Sequence, residues 1–396
     1  MRCVAGLHKL RLYKAKSIDR AVRRINADYA DAEAATPVVT RIMLQPKESS
    51  AFGSTWRVQI ARWHQRWLLC AALLIVGGCE GTPVVQTSAR RFVELPEPML
   101  FIPTSDTILT SFVQSALLVD DQIVLLQPQD ARIIALDAVT GRPTWSAGRR
   151  GAGPGEFFQP QSMFPRVGGG FGVVDSRQGR ITLFSAAGAV VGEVTGDMFG
   201  REVQNVCDTG DYGLLVLQLP YFGVVRANVQ GKIVKRDSLV WPDTTMNGST
   251  YFRQAFWANS RGGRCVTFAM MGNYFAEYDA VALLPRAFRP YVVPLKFPRP
   301  VGERNGWPTY NARVSSAGAG AISDKDFFVL YGGQREPYDQ IIDVYTLADG
   351  AYRYSMKLPR KTYFIDVLGG RLLTIETTEE GQSISLFPLP SAPPGS

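Results

Sequence analysis

Two stretches of the 396-residue chain combine aromatic rings with arginines, a pairing that suits ligand binding. The rings offer flat contact area and the guanidinium groups offer forked hydrogen bonds, so together they favour a peptide or sugar surface. The alternative is that the rings pack between neighbouring sheets. The candidate binding residues are Tyr251, Arg253 and Trp257 in the segment Trp241–Trp257, and Trp307, Tyr310 and Arg313 in the segment Asn305–Arg313.

A glycine-rich stretch, Gly148–Pro160, supplies two charged candidates, Arg150 and Glu156. Its four glycines and two prolines predict a loop that turns several times. In a binding role, Arg150 and Glu156 face a ligand. In the structural alternative, Glu156 accepts hydrogen bonds from the loop's own N–H groups, which need acceptors.

Histidine chemistry is confined to the first part of the chain. The only two histidines, His8 and His64, both precede Cys79. A mature protein without that part has no Ser-His-Asp triad, Cys-His pair or histidine metal ligand. Catalysis would then depend on carboxylates and a divalent cation.

Acidic residues at three places could bind such a cation: Asp120-Asp121, Asp324–Asp326 and Asp366. None of them forms an EF-hand loop. Acids in turns beside strands usually cap backbone N–H groups. The prediction is therefore that no cofactor is bound, with a calcium ion as the alternative.

Positive charge is concentrated in the same N-terminal part. Residues 1–79 carry thirteen basic and five acidic side chains, which accounts for the whole formal charge of +8. The remainder has 30 residues of each sign. The main part of the chain is therefore not predicted to bind nucleic acid.

The end of this basic part has the organisation of a secretory signal. Three arginines (Arg57, Arg62, Arg66) precede the apolar run Trp67–Val76, which is too short to span a membrane. Val76-Gly77-Gly78-Cys79 resembles the lipobox of bacterial lipoproteins, in which the cysteine is acylated and begins the mature chain. The alternative is a buried helix that ends in Gly-Gly-Cys.

The chain divides accordingly into five predicted parts. Residues 1–42 do not fit a signal peptide and are explained by a start codon called too early, with Met43 as the true start, or by a cytosolic extension. Residues 43–79 are the signal segment, 80–90 a tether, 91–390 the main domain and 391–396 a flexible tail. An exported domain would permit a disulfide between Cys207 and Cys265, or leave two separate buried thiols.

Short strands and tight turns fill the main domain. Four strands lie between Ser111 and Ser146, the glycine-rich loop follows, and the pattern recurs. The turn glycines Gly141, Gly188 and Gly231 are 47 and 43 residues apart, which matches the period of a four-stranded propeller blade. We predict an all-β, six-bladed β-propeller with four-stranded blades, with a β-sandwich as the main rival.

The later units are less regular. In the fourth, we predict the third and fourth strands at Ala280–Leu284 and Tyr291–Leu295; in the fifth, we predict the first strand at Arg313–Ser315. The last unit contains only three strands, so a strand from Ala89–Pro103 is predicted to complete it and close the ring.

The loop core Gly151-x-Gly153-Pro154-Gly155-Glu156-Phe157 resembles the inter-blade loop of six-bladed propellers of the NHL-like group. The resemblance covers Phe92–Pro388, although the motif occurs clearly once. Many members of the group are bacterial lipoproteins of unknown role, and some related propellers are lyases or lactonases that rely on a metal or histidine. The long aromatic insertion Trp241–Trp257 and the Gly/Ser/Ala-rich entry Ser315–Ala321 depart from the pattern.

These observations predict an exported bacterial lipoprotein, anchored in a membrane through lipid on Cys79 and facing the periplasm or cell exterior. Its predicted role is a binding or scaffold module for an envelope protein, a peptide or a glycan, without catalysis. The alternative is an exported hydrolase or lyase, lactonase-like, with carboxylates and a divalent cation in the central channel.

Overall fold

The computed structural model describes residues 90–103, 108–109, 111–200, 202–218, 223–242, 255–259, 261–294, 301–304, 307–309, 317–333 and 337–391. The predicted signal segment (43–79), the stretch 1–42, the tether up to residue 89 and residues 392–396 lie outside this description. Within it, no helix is long and apolar enough to cross a bilayer.

The first half of the described chain forms two short strands and then three antiparallel four-stranded sheets, each in chain order. Three short 3-10 helices, Pro128–Asp130, Asp197–Gly200 and Gly210–Tyr212, lie in the connections. The strands are β1 (Phe92–Val93), β2 (Leu100–Ile102), β3 (Ser115–Val119), β4 (Gln122–Gln127), β5 (Arg132–Asp137), β6 (Pro143–Ala147), β7 (Pro160–Pro165), β8 (Phe171–Asp175), β9 (Arg180–Phe184), β10 (Val190–Val194), β11 (Val203–Asp208), β12 (Leu214–Gln218), β13 (Gly223–Ala227) and β14 (Ile233–Ser238).

The second half adds two more four-stranded units, a three-stranded one and a small hairpin. The hairpin pairs β19 with β20 between the fourth and fifth units. The strands are β15 (Ala255–Asn259), β16 (Cys265–Ala269), β17 (Tyr274–Asp279), β18 (Leu284–Pro290), β19 (Gly302–Arg304), β20 (Trp307–Thr309), β21 (Ala317–Ile322), β22 (Asp326–Tyr331), β23 (Ile341–Thr346), β24 (Tyr352–Lys357), β25 (Thr362–Leu368), β26 (Arg371–Thr378) and β27 (Gly381–Pro388).

The sheets are the blades of a closed ring. The first strand of each blade contacts the first strand of the next, in the order β3, β7, β11, β15, β21, β25 and back to β3. The described chain is thus a six-bladed β-propeller, as predicted, with these six strands around a central channel.

Blade strands are apolar on both faces because each blade is covered by two neighbours. In β4, Ile123 and Leu125 pack towards the sixth blade, whereas Val124 and Leu126 pack towards the second. This alternation follows from the two-residue period of a strand. Six such hydrophobic clusters, one between each pair of neighbouring blades, form the core of the described residues.

The N-terminal segment closes the ring, as predicted, and it also adds a strand to the fifth blade, which was not predicted. Strand β2 pairs antiparallel with β27 and supplies the missing outer strand of the sixth blade. Strand β1 instead pairs in parallel with β24, so it adds a fifth strand to the fifth blade. The segment therefore joins two neighbouring blades at their outer edges.

The turn glycines lie in tight turns between strands, as their spacing predicts. Gly141 and Gly231 adopt φ values of 70° and 74°, in the left-handed region that other residues avoid. A Cβ on Gly231 would also lie 1.7 Å from the Thr195 carbonyl oxygen of the second blade. This turn glycine therefore also permits close contact between blades.

The third and fourth strands of the fourth blade lie elsewhere than at the predicted Ala280–Leu284 and Tyr291–Leu295. Residues 280–283 form a turn, because Asp279 accepts hydrogen bonds from the Val281 and Ala282 N–H groups (both 2.8 Å). The third and fourth strands are β17 and β18, before and after that turn. Tyr291, predicted to begin the last strand, instead lies after β18 and is buried between the fourth and fifth blades.

Among the described residues, the first strand of the fifth blade is β21. The predicted strand Arg313–Ser315 lies outside the described residues. The sequence of β21, Ala-Gly-Ala-Gly-Ala-Ile, has low intrinsic preference for strands. Its small residues are required by packing, since a Cβ on Gly320 would lie 2.7 Å from the Phe268 ring.

Candidate functional site at the channel mouths

The glycine-rich loop leads from the first blade to the second and is held by Glu156. The Glu156 carboxylate accepts a hydrogen bond from the Gly153 N–H (2.8 Å) and pairs with Arg149 (2.6 Å). These two donors lower the pKa of Glu156 below its ordinary value, with the Gly153 N–H as the larger cause. This is the structural role that the sequence left as the alternative for Glu156.

The same loop is clasped by side chains of the second blade. Arg180 is buried and donates to the carbonyl oxygens of Ala152 (3.2 Å), Gly153 (2.7 Å) and Glu156. Its guanidinium also pairs with Glu193 (3.2 Å). The sequence does not reveal this role of Arg180, because a basic residue at the start of a strand gives no sign that it will fold back onto a loop.

Arg150 remains exposed at the surface of this loop. Its side chain donates to the Gln129 carbonyl oxygen (3.2 Å) of the first blade, and its backbone forms a bridge with Phe157. Phe157 is fully buried between the first two blades. The loop is therefore a fixed connection, and Arg150 is the member of the predicted pair that faces solvent.

Of the aromatic and arginine candidates, the structure describes the side chain of Trp257 alone. Trp257 is 5% exposed and packs edge-on against Tyr278 between the third and fourth blades, so it cannot serve as a ligand contact. For this residue the packing alternative is correct. Trp307 lies in β20, but its side chain is outside the description, and so are Tyr251, Arg253, Tyr310 and Arg313.

One end of the channel, where the innermost strands end, is crossed by an arginine. We call it the first mouth. Arg261 follows β15 in the fourth blade and pairs with Asp366 on β25 of the sixth blade (2.8 Å). It also donates to the Val367 carbonyl oxygen (3.1 Å) and to that of Leu118 in the first blade. Arg261 thus links three blades across the first mouth.

Three of the five acids proposed as cation ligands are paired with an arginine. Asp366 pairs with Arg261, Asp326 with Arg353 (2.7 Å) and Asp121 with Arg371 (3.2 Å). A carboxylate that already faces a guanidinium is a poor cation ligand. Within the described ranges, no three His, Cys, Asp or Glu side chains converge as a metal site would require.

The opposite end of the channel, where the innermost strands begin, we call the second mouth. Phe112 precedes β3, is 48% exposed and stacks on Tyr363 of β25, with ring centroids 5.6 Å apart. The Tyr363 hydroxyl donates to the Val113 carbonyl oxygen, and burial raises its pKa above the ordinary value. The hydroxyl is therefore a permanent donor that fixes this aromatic pair at the junction of the sixth and first blades.

The Gln382 amide contacts the stacked pair, since it donates to the Tyr363 hydroxyl and to the Val113 carbonyl oxygen (3.1 Å). Further amide and hydroxyl groups follow along the chain and in the second blade. The Gln114 side chain donates to the Gln161 carbonyl oxygen (2.8 Å), and the Gln161 side chain accepts from the Ser176 hydroxyl (2.6 Å). Phe112 therefore offers one exposed ring beside hydrogen-bonding groups, which is suited to binding peptide or sugar. This site has no local signal in the sequence, because Phe112 and Tyr363 are 251 positions apart and meet only when the ring closes.

Cys207 on β11 and Cys265 on β16 are joined in a disulfide, with a Cα–Cα distance of 6.1 Å. The bond links the third and fourth blades. It resolves the alternative of two separate thiols in favour of the bonded pair.

No protein-family model matches the chain, and a search of curated proteins finds no match. Among solved structures, an exported protein described as putative from Bacteroides fragilis is similar at 13% identity and a TM-score of 0.48, covering 78% of this chain and 96% of its own. Virginiamycin B lyase from Staphylococcus aureus is 12% identical, with a TM-score of 0.43 and coverage of 74% and 88%. BamB from Moraxella catarrhalis is 11% identical, with a TM-score of 0.38 and coverage of 70% and 86%.

These similarities are too low to transfer an activity, a partner or a membership of the NHL-like group. The assignment of the fold rests on the strand topology of the chain itself.

Proposed function

We propose that the protein is an exported β-propeller, tethered to a membrane through lipid on Cys79, that binds a protein, peptide or glycan of the cell envelope at its second mouth. The observation that carries the binding role is the exposed ring of Phe112, which stacks on Tyr363 and lies two positions before the exposed Gln114. The partner is recognised by ring contact and hydrogen bonds, and no bond in it is broken.

The first mouth supports binding over catalysis. A hydrolase that uses carboxylates and a cation needs several acids facing one point in the channel. At the first mouth, Asp366 is neutralised by Arg261, and Asp208 accepts hydrogen bonds from the N–H groups of Val167 (3.1 Å) and Gly210 (2.9 Å). These acids hold the blades together.

Export is supported by two independent features. The disulfide between Cys207 and Cys265 is a bond that oxidising compartments allow to persist. The basic residues, short apolar run and Gly77-Gly78-Cys79 form a lipoprotein-type signal at the sequence level. Mass spectrometry of the membrane fraction should find a mature N-terminus at an acylated Cys79; a soluble protein that begins elsewhere would contradict the tether.

The binding role is tested by recovering partners from the protein's own cell envelope. Phe112→Ala removes the exposed ring of the stack, and we expect about tenfold less partner to be retained, equivalent to ~1.4 kcal/mol. The matched control is Tyr212→Ala, which removes a ring that is 56% exposed at the first mouth. Equal recovery with both variants would show that the second mouth is not the binding surface.

A further inference from the structure

The N-terminal segment exposes large apolar side chains along the outer edge of the ring. Val93, Leu95, Leu100 and Ile102 face inwards and pack into the cores beside the sixth blade. Phe92, Met99 and Phe101 face outwards and are 56%, 55% and 42% exposed. We call these three residues the N-terminal edge.

The outward direction of these side chains is fixed by the backbone that carries them. Arg90 pairs with Asp343 through two hydrogen bonds (both 2.8 Å), and the Ser355 N–H donates to the Arg91 carbonyl oxygen (2.8 Å). Phe101 is held in β2, where the Arg360 guanidinium lies 4.6 Å from its ring centroid. The N-terminal edge is thus an ordered surface.

A shallow groove of about 410 Å³ opens beside the same segment. Leu95, Pro98, Pro359 and Phe387 line it, together with the exposed Glu97 and Lys357. The groove thus offers an apolar wall with one charge of each sign, which suits the acyl chain and the headgroup region of a lipid.

The sequence before this edge indicates what would cover it. Arg90 lies eleven positions after Cys79, a stretch that extends at most about 38 Å. A lipid on Cys79 would therefore keep Phe92 within reach of the bilayer surface, and no other described blade edge is as near to Cys79 along the chain.

We propose that the N-terminal edge rests on the lipid surface, with Phe92, Met99 and Phe101 at the level of the headgroups and Arg91 and Lys357 near the phosphates. This inference rests on the proposed tether at Cys79. It adds an orientation: the ring stands edge-on with its fifth and sixth blades against the membrane. Both channel mouths then open sideways, and the second mouth is accessible to partners in the aqueous phase.

The test places a photocrosslinking side chain in the full-length protein in its own membrane. Phe92→p-benzoylphenylalanine is compared with Val234→p-benzoylphenylalanine, because Val234 is 55% exposed on β14 of the third blade, on the far side of the ring. With radiolabelled phosphatidylglycerol and phosphatidylethanolamine in the membrane, we expect at least tenfold more lipid adduct at position 92. The two lipids separately show whether an anionic headgroup is preferred.

Three results would overturn the proposal: a crosslink from position 92 to a second copy of the chain, a crosslink to another protein, or equal lipid adducts at positions 92 and 234. The mass of the N-terminal peptide is measured on the same samples. An unmodified Cys79 with a strong lipid adduct at position 92 would refute the tether and retain the edge. An acylated Cys79 without a lipid adduct at position 92 would support the tether and refute the contact of the N-terminal edge with lipid.

Discussion

Asp366 receives donors from two other blades at one buried carboxylate. The Leu118 N–H (2.7 Å) comes from the first blade and the Arg261 guanidinium from the fourth. Side chains of this kind link blades across the first mouth, and their pairing leaves fewer charges available for chemistry.

Arg261→Ala tests this arrangement. The change leaves the buried Asp366 carboxylate without its cation and frees two carbonyl oxygens, so we expect a loss of roughly 3 kcal/mol in the free energy of unfolding, measured by urea denaturation. The control is Arg371→Ala, because its partner Asp121 has an 88% exposed side chain and such pairs contribute less than about 1 kcal/mol. Equal losses in the two variants would contradict the role of Arg261 in linking three blades.

Glu156 allows a test by pH. Its pKa is lower in the folded protein than in the unfolded chain, so its contribution to stability is complete above the unfolded pKa, about 4.3, and is lost as pH falls through the folded value. Glu156→Gln should therefore be less stable than the parent at pH 7, and the difference should shrink below about pH 4. Urea midpoints between pH 7 and pH 3 provide the measurement; a difference that does not change with pH would contradict the ionic role.

At the scale of elements, the early blades could be predicted and the later ones only in part. In the first blade, four strands are predicted between Ser111 and Ser146 and four are found, β3 to β6, since apolar residues and turn signals agree there. In β18 the residues Pro285, Arg286 and Arg289 suggest a loop, but the strand lies at the outer edge of its blade, where proline and charge are tolerated.

The candidate site was less predictable than the fold. A sequence pattern identifies rings but not which of them will be buried, and Trp257 and Phe112 show both outcomes. The stack of Phe112 on Tyr363 depends on contact between the first and last blades, which no local pattern records.

The disulfide links β11 of the third blade to β16 of the fourth and joins cysteines that are 58 positions apart. Replacing Cys207 and Cys265 together by alanine should lower the free energy of unfolding by about 2–4 kcal/mol, because the unfolded chain loses a constraint. Urea unfolding with and without dithiothreitol measures this loss. The reductant should destabilise the parent and leave the double variant unchanged; an effect on both would point to a different cause.

At the scale of the whole molecule, stability depends on the N-terminal segment that joins the fifth and sixth blades. A chain that begins at Pro103 lacks β1 and β2, removes Val93, Leu95, Leu100 and Ile102 from the core, and leaves β27 as an open edge. We expect a loss of roughly 5 kcal/mol and a tendency to aggregate.

The matched comparison is a chain that begins at Arg90 and retains both strands and the Arg90–Asp343 pair. It should unfold at the same urea concentration as the longer protein, and light scattering should report aggregation only for the shorter one. Identical behaviour of both chains would mean that the ring does not need its N-terminal strand.

The pairing of β2 with β27 also has a consequence for how the protein is made. The two strands are separated by nearly the whole domain, so synthesis delivers β2 first and its partner last. Until β27 is complete, β2 has no edge to join, and the unfinished ring has an open side that can pair with other chains. Folding of this protein should therefore be unusually sensitive to early termination, because a chain that loses only its last strand has lost the joint that closes the ring.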